Sequence, residues 1–75
     1  MYTPSEADQA KLENNFVYHA PKGDQAERYV KLREKAKELA RLALELCPAS
    51  RETSLGMTNL EQAVMWFNSS IARNE

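Results

Sequence analysis

Residues 24–52 read DQAERYVKLREKAKELARLALELCPASRE, and the parsing of this run decides the fold. From Asp24 to Cys47 no glycine or proline interrupts it. Tyr29, Leu32, Ala36, Leu39, Ala43 and Leu46 recur at spacings of three and four, the seam of a helix that packs lengthwise on another. Pro48 cannot continue that helix, and Ser50 is a good cap for a new one with Arg51 and Glu52 in its first turn. So short a connection makes the two helices antiparallel neighbours. The second helix carries a matching seam in Met57, Leu60, Val64, Phe67 and Ile71. Residues 23–47 and 50–73 are therefore expected to form a helical hairpin, each arm spanning roughly 35 Å at ~1.5 Å per residue.

Two helices cannot bury all the apolar surface that this pattern supplies. Val30, Ala40, Leu42 and Leu44 lie off the first seam, and Leu55, Ala63 and Trp66 form a further face on the second arm. Tyr29 and Trp66 read as core or interface side chains, and Cys47 as a buried structural thiol at the end of an apolar helix. The surplus faces predict a homo-oligomer. Gly56 costs ~1 kcal/mol relative to alanine inside a helix unless another backbone or a ligand approaches it closely.

Upstream, Thr3, Pro4 and Glu6 form a helix-start pattern, with Thr3 as cap, Pro4 at the first helical position and Glu6 reaching back. A short helix within residues 1–15 follows, with Leu12 as its only large apolar residue. The whole of residues 1–75 thus reads as a single all-α domain, a short N-terminal helix followed by a long antiparallel hairpin.

Between the short helix and the hairpin lies FVYHAPKGDQ, residues 16–25. Pro21 pushes the residue before it toward an extended conformation, and Asp24 can accept N–H bonds from the first turn of the following helix. Tyr18 offers a π-face, His19 is the only histidine, and Lys22 and Arg28 supply positive charge beside a helix start, a combination that suits an anionic, ring-bearing ligand. From Lys22 to Arg41 there are seven basic and four acidic residues, so this segment is +3 and the remainder −4. Two copies about a two-fold axis, each giving Tyr18, Lys22 and either Arg28 or Arg33, would offer paired stacking faces and paired cations. A ligand with two bases and two phosphates matches that symmetry.

Composition excludes several alternatives. One cysteine permits no internal disulfide, and with a single histidine it cannot build a multi-ligand zinc site. No apolar run approaches a membrane span of ~18–20 residues, and MYTPSEADQ lacks the layout of a secretory signal, so a cytoplasmic protein is expected. A net charge of −1 argues against binding DNA or RNA duplexes. Enzyme chemistry is poorly served: Cys47 and His19 flank opposite ends of one helix, Glu34 and Glu38 share a face with Lys31, Lys35 and Lys37, and no glycine-rich phosphate loop occurs. No cofactor is implied.

The blocks YHAPKGDQAERY, LREKAKELA, CPASRETSL, TNLEQAVMW and IARNE, in this order across residues 16–75, resemble the small phage proteins that inhibit CBASS immunity by sequestering cyclic oligonucleotide signals. The resemblance implies a helical hairpin assembled as a homohexamer, a sponge that holds cyclic dinucleotides such as cGAMP at one kind of site and cyclic trinucleotides at another without degrading them. Carried onto this chain, it implies base stacking by Tyr18 and phosphate contact by Lys22 or Arg33 at the first site. The second would lie in SRETSLGMTNLE, through Arg51 and Thr58. The expected function is non-catalytic sequestration; the alternative is a helical oligomerisation module that binds a partner protein through the Leu55/Trp66 face.

Overall fold

The turn that closes the hairpin is built by two side chains. Ser50 Oγ accepts the Thr53 N–H at 3.1 Å, and the Thr53 hydroxyl donates to the Pro48 carbonyl at 2.8 Å, so the cap of one helix also ties down the end of the other. In the computed structural model, which describes residues Met1–Glu75, three helices follow in order: α1 (Glu6–Asn15), α2 (Gln25–Leu46) and α3 (Arg51–Asn74). There is no strand. α2 and α3 pack antiparallel, with residues equidistant from the turn, such as Ala36 and Glu61 or Ala40 and Met57, lining one groove.

The molecule measures 49 × 38 × 13 Å, and its thinnest dimension is little more than the ~10–12 Å diameter of one helix with its side chains. A layer one helix deep has no interior. Gln25 is the one buried residue, and no hydrophobic side chain is buried. The α2/α3 seam is accordingly half-buried, and it departs from the expected one at three positions. On α2 the half-buried seam residues run Tyr29, Leu32, Ala36, Ala40 and Ala43, with Leu39 and Leu46 turned outward; on α3 they run Met57, Leu60, Val64, Asn68 and Ile71, with Phe67 exposed. The reason is helical drift. A straight helix of 3.6 residues per turn rotates ~20° per heptad away from a strict 3–4 repeat, so the contact line slips by one residue midway along each arm. Asn68 enters the seam by this slip, and its side-chain oxygen is buried without a hydrogen-bond partner in the chain.

Other expectations are also corrected. α1 is capped by Ser5 and not by Thr3: Ser5 Oγ accepts the Asp8 N–H at 3.1 Å and the Asp8 carboxylate accepts the Ser5 N–H at 3.3 Å, a reciprocal box that leaves Pro4 outside the helix. Asp24 occupies the position before α2 but its side chain caps no N–H. Cys47 is exposed, because its helix ends at the rim of the hairpin with no second layer above it. Nothing approaches Gly56. Among the surplus apolar residues, Leu42, Leu44, Leu55 and Trp66 are exposed as anticipated, whereas Ala63 is half-buried beside the seam.

Gly56→Ala is expected to stabilise the chain, since a methyl group there meets open space and alanine is the better helix former. Thermal unfolding should show Tm rising by roughly 4–8 °C. A fall in Tm would mean that something outside the single chain covers Gly56.

Candidate ligand-binding site

At the open end of the hairpin the segment between α1 and α2 is fastened to the end of α3 by polar groups. Gly23, at φ +58°, occupies the left-handed region that glycine tolerates without strain and turns the chain into α2. Gln25 follows, 4% exposed, and its buried amide is satisfied at both ends: Oε1 accepts the Lys22 N–H and Nε2 donates to Glu75 Oε1, each at 3.1 Å. Lys22 Nζ donates to the Glu75 main-chain oxygen at 2.9 Å. The Arg28 guanidinium grips the Glu75 carboxylate with both terminal nitrogens, one of them at 2.7 Å, while its Nε donates to Asp24 at 3.2 Å. Glu75 is thus the hub on which Lys22, Gln25 and Arg28 converge.

Two further links set the angle of α1. Asn14 Nδ2 donates to the Arg73 carbonyl at 3.0 Å, and His19 Nε2 lies 2.7 Å from the Asn14 carbonyl. A carbonyl only accepts, so His19 carries its hydrogen on Nε2 in this bond. His19 therefore positions the elbow, and the ring it positions is its neighbour Tyr18, which is 83% exposed and makes no side-chain hydrogen bond. Phe16 and Val17 are exposed beside it.

Of the seven residues nominated from the sequence, Tyr18, His19, Lys22 and Arg28 are brought to this one end. Arg33 is not. It lies five residues beyond Arg28, about 140° further round α2. There it lines, with Lys37, an open groove of about 290 Å³ floored by Ala36, Ala40, Met57 and Leu60. Arg51 and Thr58, both exposed, stand two turns apart on α3 toward the closed end, with Arg51 about 36 Å from the clasp at 1.5 Å per residue. A single chain therefore holds the two nominated sites apart. No three His, Cys, Asp or Glu side chains are grouped so as to hold a metal ion.

Asn14, Gln25 and Glu75 were missed as site residues. The signal for Glu75 was present: in an antiparallel hairpin that turns at Pro48–Ala49, Lys22 and Glu75 are equidistant from the turn and must face each other. Reading the cations as free for ligand hid their partner. Lys22 and Arg28 against Asp24 and Glu75 make the clasp neutral, so the positive potential of this region comes from Lys31, Arg33, Lys37 and Arg41, which form no ion pair within the chain.

The Arg28 hydrogen bonds, then that from Gln25, lower the Glu75 carboxyl from its ordinary 4.5 to about 2, while Glu75 holds the Arg28 guanidinium above its ordinary range. A carboxyl depressed by folding contributes stability that is complete above pH 4.5 and is lost as pH falls toward 2. Wild type should therefore melt higher than Glu75→Gln at neutral pH, and the gap should close across that acid window. A gap that persists unchanged at pH 2 would show that the clasp does not act through ionised Glu75.

No helix is long and apolar enough to cross a membrane. Neither a curated protein nor a solved structure matches the chain. The model of one protein family, described as the Acb2/Tad1 hairpin domain, matches residues 8–72, which takes in most of α1, the elbow and nearly all of the hairpin. The chain belongs to this family, the anti-CBASS cyclic-oligonucleotide sponges.

Proposed function

We propose that this protein sequesters cyclic dinucleotides without chemical turnover and so withholds a second messenger from the effector of a CBASS defence. The family match across residues 8–72 carries the reading, because it includes the exposed Tyr18 ring and the cations of the same elbow. In this reading Tyr18 stacks on a base, Lys22 and Arg28 contact phosphate, and His19 holds the elbow in place. Arg33 supplies further positive charge from the groove. Arg51 and Thr58 form a separate site for cyclic trinucleotides. Sequestration works by mass action, so it needs abundance and tight binding and makes no use of a nucleophile or a metal.

The protein acts in this reading as a homo-oligomer, a hexamer, in the cytoplasm of the infected cell. Support comes from the one-layer fold: with no hydrophobic side chain buried, the outward faces bearing Leu42, Leu44, Met65 and Phe67 would gain cover from other copies. A second reading, a module that binds a partner protein, is favoured by one observation, the 67% exposure of Trp66 on α3.

Purified protein mixed with a cyclic dinucleotide should gain thermal stability, about 2.7 kcal/mol at a hundredfold excess of free ligand over Kd. Heat denaturation should then return the nucleotide intact. Hydrolysed or linear product would place the protein among enzymes. Tyr18→Ala should lose ligand binding while light scattering reports an unchanged particle size. If Tyr18→Ala binds as wild type does, the elbow is not the site; if no cyclic nucleotide binds at all, the partner-binding module is the better account.

A further inference from the structure

The clasp that fastens the elbow is made of the same groups that the proposed function assigns to phosphate. Arg28 has five N–H donors. Nε is committed to Asp24, and the two terminal nitrogens are committed together to the carboxylate of Glu75. A carboxylate and a phosphate are interchangeable partners for that planar fork, so a phosphate gains the two-pronged contact only when the Glu75 side chain leaves. Gln25 Nε2 is held in the same way. Lys22 differs, since its ammonium donates to the Glu75 main-chain oxygen and keeps two further N–H donors.

We propose that Glu75 is an internal competitor for the anion that the elbow takes: its carboxylate fills the Arg28 fork in the free protein, and ligand phosphate displaces it. The contact is accessible, with the Arg28 and Glu75 side chains 35% and 39% exposed, so the exchange needs only a side-chain rotation into solvent and no unfolding of α3. The consequence is selectivity. A tethered carboxylate competes at high effective concentration, which excludes a lone inorganic phosphate. A cyclic dinucleotide brings two phosphates together with base stacking on Tyr18 and overcomes it. Displacing Glu75 also leaves the cluster of Lys22, Arg28 and Asp24 with a net positive charge just when an anion arrives.

This inference rests on the elbow being the dinucleotide site, and the test separates the two. Affinities for a cyclic dinucleotide and for inorganic phosphate are measured by titration calorimetry on wild type, Glu75→Gln, Glu75→Asp and Glu45→Gln, with circular dichroism reporting helicity. Glu75→Gln should bind the cyclic dinucleotide about fivefold more tightly, the release of one exposed ion pair, and should begin to bind phosphate. Glu75→Asp, one methylene short of the two-pronged contact, should fall between, and Glu45→Gln, an equal change of charge at an exposed position on α2 17 residues beyond Arg28, should match wild type. If wild type binds while Glu75→Gln binds equally or more weakly, Glu75 is a brace and not a competitor, and the inference is overturned. An equal gain from Glu45→Gln would reduce it to bulk charge and overturn it as well. Failure of wild type to bind the dinucleotide removes the functional reading itself, which the Glu75 variants do not decide.

Discussion

Two helices lying side by side make a slab, and a slab one helix deep cannot enclose a side chain. Everything else in this structure follows from that geometric limit. The contact between α2 and α3 removes water from one stripe of each helix, which is why Leu32, Met57, Leu60, Val64 and Ile71 reach half-burial and no further. Apolar surface contributes roughly 25 cal/mol per Å² when it leaves water, and the outward-facing Leu39, Leu42, Leu44, Leu46, Met65, Trp66 and Phe67 leave much of theirs in solvent. A second layer is what such a slab lacks, and assembly of copies, as proposed, would supply it. Stability would then depend on protomer concentration as well as on sequence.

Where packing is absent, polar ties take over. α1 has no buried residue, and it is held to the hairpin by the Asn14 bond to the Arg73 carbonyl. A neutral hydrogen bond contributes about 0.5–1.5 kcal/mol net, so α1 is fastened lightly compared with the arms of the hairpin. The elbow is fixed more firmly. Gln25 is buried and satisfied at both ends of its amide, and Lys22 and Arg28 bridge to Glu75 just past the end of the opposite helix. The exposed Tyr18 ring is thus carried on a loop whose two ends are each bonded to the last turn of α3 or to the residue after it.

The charge distribution has the same two-sided character. The excess of cations between Lys22 and Arg41 is cancelled locally at the clasp and survives further along α2, where Arg33 and Lys37 flank an apolar groove. In the proposed reading an incoming anion is drawn first toward the hairpin arm and meets a neutral latch at the elbow.

Much of this was legible in residue order. Periodicity from Tyr29 to Leu46 and from Met57 to Ile71, broken by Pro48 and Ser50, dictates two antiparallel helices, because apolar spacing and helix stops are local properties. The surplus of outward faces was legible too, since it is a count of apolar positions against one line of contact. The ordered blocks from Tyr18 to Glu75 carried the family resemblance that the match over residues 8–72 bears out. What local order could not contain was the slip of the seam from Leu39 to Ala40 and from Phe67 to Asn68, which accumulates from helical twist along both arms. Nor could it contain the choice of Ser5 over Thr3 as cap, which depends on whether Asp8 reaches back. The meeting of Lys22, Gln25 and Arg28 on Glu75 joins residues some fifty positions apart. Sequence by itself determined the helices and the character of their faces; only the tertiary structure decided which cation answers to which carboxylate, because that pairing exists only once the turn has brought the two ends together.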